Sequence, residues 1–298
     1  VEIDRPVAVV VGAVGARGQQ RVGLVAVELA VAAGVVEVDG AVALVTLDRP
    51  RYRNAQSWQM LDQLDAALDC ACADKAVKVA IVRGEGAHFS AGHDLGTPEQ
   101  IEDRKLRGIP DTGLLEYETF RKYNLDYTLK WRNLPKPTVA MVRGYCIYGG
   151  WMIAAAMDVV FASPEARFLA GQVEYFSIPW DVGARKAKEL LFESRFIGAE
   201  EARELGLVNR VIASEDLERE TVAWAKRVAD QPHGALRMAK LAINKVQDLQ
   251  GFSSSMEGAF ADFLVLAQMG GHPRKPAANR RLGGVDLALR GARGERES

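Results

Sequence analysis

From Val35 the chain alternates between apolar and polar positions. Val36-Glu-Val-Asp-Gly-Ala-Val-Ala-Leu-Val-Thr-Leu47 puts apolar side chains at every second place around Asp39-Gly40, which predicts a hairpin. Arg49-Pro50 closes its second strand. Met60, Leu61, Leu64, Ala67, Leu68 and Cys72 then recur at helical spacing, predicting a helix over 56–73. Val77 to Val82 is a short apolar run ending in Arg83-Gly-Glu-Gly86, a buried strand and its turn. Residues 97–113 are polar and read as a mobile loop or a short helix. An amphipathic helix follows from about Leu114 to Trp131, closed by Pro135 and Pro137.

Thr138 to Val142 reads as a strand, then comes a Gly-rich turn and an apolar helix beginning near Gly149. Val159 to Ala162 is a further strand. After Pro179 helices dominate, the clearest at 185–192, 199–205 and 221–230. Strands alternating with helices, followed by a helical C-terminal part, predict an α/β core with an α-helical appendage. The divisions are an N-terminal extension over 1–34, a core over 35–195, a helical region over 196–282 and a frayed tail over 283–298. The extension is rich in Val, Ala and Gly. Its early glycines lack the Gly-Lys-Ser/Thr of a phosphate loop, so it reads as an added strand or a poorly ordered segment.

Composition narrows the function. Across 298 residues, 38 Lys and Arg balance 39 Asp and Glu, giving a net charge of −1. That balance argues against nucleic-acid binding through bulk positive charge and against a polybasic membrane surface. The uncharged run Gly144 to Met157 has 14 residues, short of the ~20 that a membrane-spanning helix needs. The start, Val-Glu-Ile-Asp, lacks the basic region of a secretory signal. Cys70, Cys72 and Cys146 make neither a disulfide framework nor a zinc spacing, so a reducing, cytoplasmic setting is expected. The four histidines lie too far apart for a His-rich metal site.

Two turns carry the candidate chemistry: His88-Phe-Ser-Ala-Gly-His-Asp-Leu95 and Gly144-Tyr-Cys-Ile-Tyr-Gly-Gly-Trp151, each after a strand. Glycine lets backbone approach a ligand, and a helix starting at Gly149-Gly150 aims N–H groups outward. Side by side, two such turns can put two N–H donors on one oxygen, an oxyanion hole. By spacing alone, glycines after strands are also ordinary turns.

The motifs have an order. Leu47-Asp-Arg-Pro and Arg53-Asn-Ala come first, then Phe89-Ser-Ala-Gly-His-Asp-Leu, Lys136-Pro-Thr-Val-Ala-Met-Val-Arg-Gly-Tyr and Gly149-Gly150. Met157-Asp-Val-Val-Phe-Ala-Ser, Ala166-Arg-Phe and Gly198-Ala-Glu-Glu-Ala-Arg-Glu-Leu-Gly-Leu-Val-Asn-Arg-Val follow. In this order, from about Val35 to Val265, the chain resembles the crotonase (enoyl-CoA hydratase/isomerase) superfamily. The resemblance implies stacked ββα repeats with a C-terminal helical trimerisation region, a homotrimer or homohexamer, and an acyl-CoA substrate with no resident cofactor. It implies a thioester oxygen held by the backbone N–H groups of His93 and Gly149, stabilising an enolate. It places Arg53, Ala55, Ala91 and Leu95 along the CoA site, Asp94 in the turn, and Gly150 and Trp151 beside the hole, with Trp151 either reshaping the acyl pocket or packing in the core. The His93 imidazole lines the pocket or points aside. Arg53 is either a phosphate contact or a solvated arginine. Phe260 and Phe263 lie on a helix that contacts CoA in this family. The basic pairs Arg274-Lys275 and Arg280-Arg281 either meet CoA phosphates or form a solvated tail.

The sequence also departs from the family. The two positions that hold proton-transferring glutamates in hydratases are Met152 and Gln172 here. Methionine transfers no proton and neutral glutamine is a poor acid or base. The stretch 168–183 is shorter than the family pattern; a slipped register brings Glu174 into the pocket, and otherwise Glu174 is a salt-bridged or surface residue. The expected activity is therefore hydratase/isomerase-type chemistry with weak hydration or another enolate reaction: isomerisation, hydrolysis or decarboxylation. The alternative is a catalytically silent acyl-CoA-binding subunit.

Overall fold

The computed structural model describes residues 35–110, 113–171 and 175–266, with positions 12, 13 and 289. Nearly all of the tail and of the N-terminal extension lie outside the described residues. The predicted hairpin is β2 (Val35–Asp39) and β3 (Val42–Leu47), with Gly40 at φ +64° in its two-residue turn and Asp39 paired with Val42. A two-residue strand, β1 (Gly12–Ala13), pairs in parallel with β2. Ser57 caps α1 (Trp58–Ala73) by accepting from the Met60 N–H, and α1 leads to β4 (Val79–Gly84). The polar stretch contains a helix, α2 (Pro98–Leu106), started by the Thr97 side chain and a proline in its first turn.

The long amphipathic helix exists but is not regular. It runs as α3 (Leu114–Arg121), a π-helical turn at Lys122–Asp126, and α4 (Tyr127–Arg132). The wide turn lets Tyr123 and Tyr127 both donate to the Asp62 carboxylate, at 2.8 and 2.7 Å. Next come β5 (Thr138–Val142), β6 (Tyr145–Ile147), α5 (Gly149–Ala156), β7 (Val159–Ala162) and β8 (Arg167–Leu169). The remainder is α6 (Ile178–Val182), α7 (Ala184–Glu193), β9 (Ile197–Gly198), α8 (Ala199–Glu204), β10 (Arg210–Val211), α9 (Leu217–Ala229), α10 (His233–Leu249) and α11 (Phe252–Leu266).

The main sheet has the order β1-β2-β3-β4-β5-β7-β10, and β3 through β10 run parallel. A second sheet has the order β6-β8-β9. Main-sheet strand, short second-sheet strand, then helix recurs as β5-β6-α5 and β7-β8-α6, the stacked ββα arrangement of the crotonase fold. Pairing continues past residue 195, because β9 and β10 join the two sheets.

Side chains alternate along the parallel strands. Ala43, Val45, Ala80, Val82, Ala140 and Val142 face a core shared with α1 and α5. Leu44, Val79, Ile81, Val139 and Met141 face a second core under α9. Burial on both faces explains why these strands read as unbroken apolar runs. A third cluster joins Leu125, Met152 and Tyr175 to Phe252, Met256, Phe260 and Phe263 of α11. Among the described residues no helix is long and apolar enough to cross a membrane.

Candidate active site

The two glycine-bearing turns lie side by side at the carboxyl ends of β4 and β5. The Ser90 N–H donates to the Tyr145 carbonyl at 2.9 Å, and the Ile147 N–H donates to the Ser90 carbonyl at 3.0 Å, so the first turn extends β6 as a parallel neighbour. On its other side the Gln56 N–H donates to the Gly92 carbonyl and the Asp94 N–H to the Gln56 carbonyl, at 2.8 and 3.0 Å. This bridge uses the groups flanking His93, which leaves the His93 peptide facing away from Gln56.

Packing at the glycines is tight enough to exclude a side chain. A β-carbon on Gly149 would lie 2.4 Å from Gln56 Oε1 and 2.8 Å from His93 Cε1. One on Gly150 would lie 2.8 Å from the Ser90 carbonyl, and one on Gly92 2.8 Å from the Ile147 carbonyl and 3.5 Å from the Gly149 nitrogen. Tyr148, at φ +48°, turns the chain into α5, and no side chain caps that helix. Its first peptide N–H groups therefore begin beside His93, with the positive end of the helix dipole behind them.

A buried polar network, which the sequence reading missed, holds the turns together. Asn54 donates to the carbonyls of Glu85 and His88, at 3.0 and 2.8 Å. Ser90 Oγ donates to the Asn54 carbonyl and accepts from Gln56 Nε2 and the Gly92 N–H. Asn54 was visible only as the middle of Arg53-Asn-Ala. No local pattern signals partners more than thirty residues away.

The expected residues fall into four groups. Arg53, Ala55, Ala91 and His93 gather beside the turns: the Ala91 N–H donates to the Arg53 carbonyl, Arg53 is exposed and Leu95 is 66% exposed. Asp94 is spent within its own turn. It pairs with Arg49 at 2.9 Å and accepts from the Thr97 hydroxyl and the N–H groups of Gly96 and Thr97. Burial works against its ionisation, but these bonds outweigh it and hold the carboxyl below its ordinary range. Trp151 points into the main core, edge-on to Phe168, and Met152 into the α11 cluster. Gln172 and Glu174 lie outside the described residues, as do Arg274, Lys275, Arg280 and Arg281.

One carboxyl was not foreseen. Trp151 Nε1 donates to Asp181 Oδ2 at 2.8 Å, and Ser177 Oγ donates to the same oxygen at 2.7 Å. Asp181 is half-buried, and both donors reach one oxygen of its carboxyl. Desolvation pushes it up to about 6 despite those two bonds. Two open cavities, of about 270 and 250 Å³, lie at Arg107–Tyr123 and at Arg83–Glu218; neither is lined by His93, Gly149 or Met152.

Residues 37–257 match the family described as enoyl-CoA hydratase/isomerase. The chain belongs to the enoyl-CoA hydratase/isomerase family. A Mycobacterium tuberculosis protein named as enoyl-CoA hydratase EchA13 is 38% identical over 246 residues, 74% of this chain and 76% of that one. Among solved structures, a Mycobacterium thermoresistibile protein named as an enoyl-CoA hydratase is 39% identical with a TM-score of 0.69, covering 76% of this chain and 93% of its own. An enoyl-CoA hydratase/isomerase from Xanthobacter autotrophicus is 30% identical with a TM-score of 0.70, covering 79% and 87%. The crotonase-type fold and family expected from the motifs are thus established.

Proposed function

We propose that this chain is a cytoplasmic acyl-CoA enzyme that stabilises a thioester enolate between the backbone N–H groups of His93 and Gly149. The observation that carries the reading is the clamp at Gly149: Gln56 and His93 close over its Cα, and Ser90 zips the first turn to β6. Two fixed donors in such a site are worth about 3–4 kcal/mol each to a developing oxyanion. CoA enters as part of the substrate, past Arg53, Ala55, Ala91 and Leu95, and no resident cofactor is required.

Proton transfer cannot use position 152, where methionine is packed against α11. It falls to Glu174, or to Asp181, whose raised carboxyl is hydrogen-bonded to α5 through Trp151. Hydration in the usual two-glutamate manner is therefore weak. Losing one general acid or base typically costs about 10² to 10⁴ in rate, and effects at one site need not add.

Two measurements test the reading. Short, long and aromatic acyl-CoAs should raise the melting temperature through mass action, and no shift with any of them sinks the acyl-CoA assignment. Crotonyl-CoA hydration should be slow. Turnover on the order of hundreds per second, within the ordinary enzymatic range, refutes the loss of the hydration machinery. Binding without turnover of any enoyl-, dienoyl- or β-ketoacyl-CoA marks the silent subunit.

A further inference from the structure

Tyr175 is 3% exposed, and its hydroxyl has no hydrogen-bond partner among the described residues. Its ring packs edge-on against Phe252 at 6.1 Å, in the cluster that also holds Leu125, Met152, Met256 and Phe260. A phenylalanine would fill the same space. An unmade hydrogen bond in such a place costs roughly 1–3 kcal/mol, so the hydroxyl is a burden on the folded chain unless something else uses it.

Position in the fold suggests the user. Met152 stands three residues after Gly149, so this cluster lies just beyond the helix start where the thioester would sit. Phe252, Met256 and Phe260 of α11 complete it. An acyl group leaving the two turns toward Met152 would meet apolar and aromatic surface with one polar point in it. Burial, with Asp181 contributing, raises the phenol well above its ordinary value. The hydroxyl therefore stays protonated and acts as a donor, so it wants an oxygen acceptor and not a cation.

We infer that Tyr175 is a specificity-determining residue that donates a hydrogen bond to an oxygen on the acyl group, beyond the thioester carbonyl. The substrate class is then an acyl-CoA with an apolar or aromatic body and a keto, hydroxyl or ether oxygen along it. This rests on the acyl-CoA reading above. A site built around a buried donor discriminates against analogues lacking the acceptor, because an unfilled site leaves the donor unpaired.

The test compares ligands that differ by one oxygen. Dissociation constants of the full chain are measured by calorimetry for hexanoyl-CoA against 3-, 4- and 5-oxohexanoyl-CoA, and for 3-phenylpropanoyl-CoA against its 4-hydroxyphenyl analogue. At least one oxygenated ligand should bind about ten-fold more tightly than its plain partner, as one hydrogen bond allows. In Tyr175→Phe that ratio should fall below about two-fold, and the melting temperature should hold or rise because the orphan donor is gone. Ratios near one for every pair in the parent overturn the inference and leave the acyl-CoA reading intact; a buried water would then be the hydroxyl's partner. A ratio unchanged in Tyr175→Phe, or a melting temperature lowered by several degrees, also overturns it. Failure of every acyl-CoA to bind overturns the acyl-CoA reading, and this inference with it.

Discussion

Replacing Asp181 by asparagine isolates the carboxyl that desolvation raises and that Trp151 ties to α5. The amide keeps the size and an acceptor oxygen for Trp151 Nε1 and Ser177 Oγ, but it cannot ionise. Raising the carboxyl from 3.8 to about 6 costs the ionised form ~3 kcal/mol in the folded chain. The folded state thus holds the Asp181 proton more tightly than the unfolded state does. Its contribution is fully present below about pH 4 and is lost as pH rises through about 6. Urea unfolding of parent and Asp181→Asn, followed by tryptophan fluorescence from pH 4 to 7.5 at one protein concentration, reads this directly. The variant's stability relative to the parent should improve by up to ~3 kcal/mol across that window, then level off. Asp62 and Asp94 titrate in both proteins and cancel in the difference. The offset between the curves depends on how the amide fits, but the change with pH does not. A difference constant to within about 0.5 kcal/mol would refute the desolvation of the carboxyl, and with it Asp181 as a proton-transferring group tuned by burial.

Asp94 should show the opposite sign. Its carboxyl is held low, so Asp94→Asn should be less stable than the parent at pH 7 by about 1–3 kcal/mol, with the deficit shrinking as pH falls below about 4; a deficit independent of pH contradicts the Arg49 and Thr97 assignment. Gly150→Ala pushes a β-carbon to 2.8 Å from the Ser90 carbonyl, backbone that cannot step aside. It should cost about 1–3 kcal/mol in denaturant unfolding, and an unchanged midpoint would mean the turns are not clamped. Met238, Ile243, Val246 and Leu249 leave an exposed apolar face on α10. A trimer or a pair of trimers should appear by light scattering at micromolar concentration, and a monomer there contradicts assembly through the C-terminal helices.

Local periodicity made much of the fold legible. Thr138–Val142 and Val159–Ala162 are strands at the predicted residues, because a buried parallel strand is a bounded apolar run. The strand expected over 77–82 lies two residues later, since Val77 is buried without joining the ladder. The short strands β6, β8 and β9 have too few residues to show a period. The π-helical turn at 122–126 is a one-residue change of phase inside a helical pattern, stabilised by Asp62 some sixty residues away. The same limit governs the site. Gly149 and His93 were named from motifs and lie side by side in the structure, whereas the Asn54–Ser90–Gln56 network and the Trp151–Asp181 bond exist only through contacts across roughly thirty residues of chain. Trp151, read as pocket wall or as core, packs in the main core, held by that bond and against Phe168.

Hydrogen exchange at the α-carbon of a saturated acyl-CoA tests enolate stabilisation itself, whatever the natural reaction. Butyryl-CoA in D₂O, followed by mass spectrometry with and without the protein, should take up deuterium at C2 well above the buffer rate. Gly149→Ala keeps the N–H, but its β-carbon collides with Gln56 Oε1 and His93 Cε1 and must displace that N–H; the rate should fall about 10² to 10³-fold, as for one lost oxyanion donor. Tight binding of butyryl-CoA with no deuterium uptake above buffer would contradict the account.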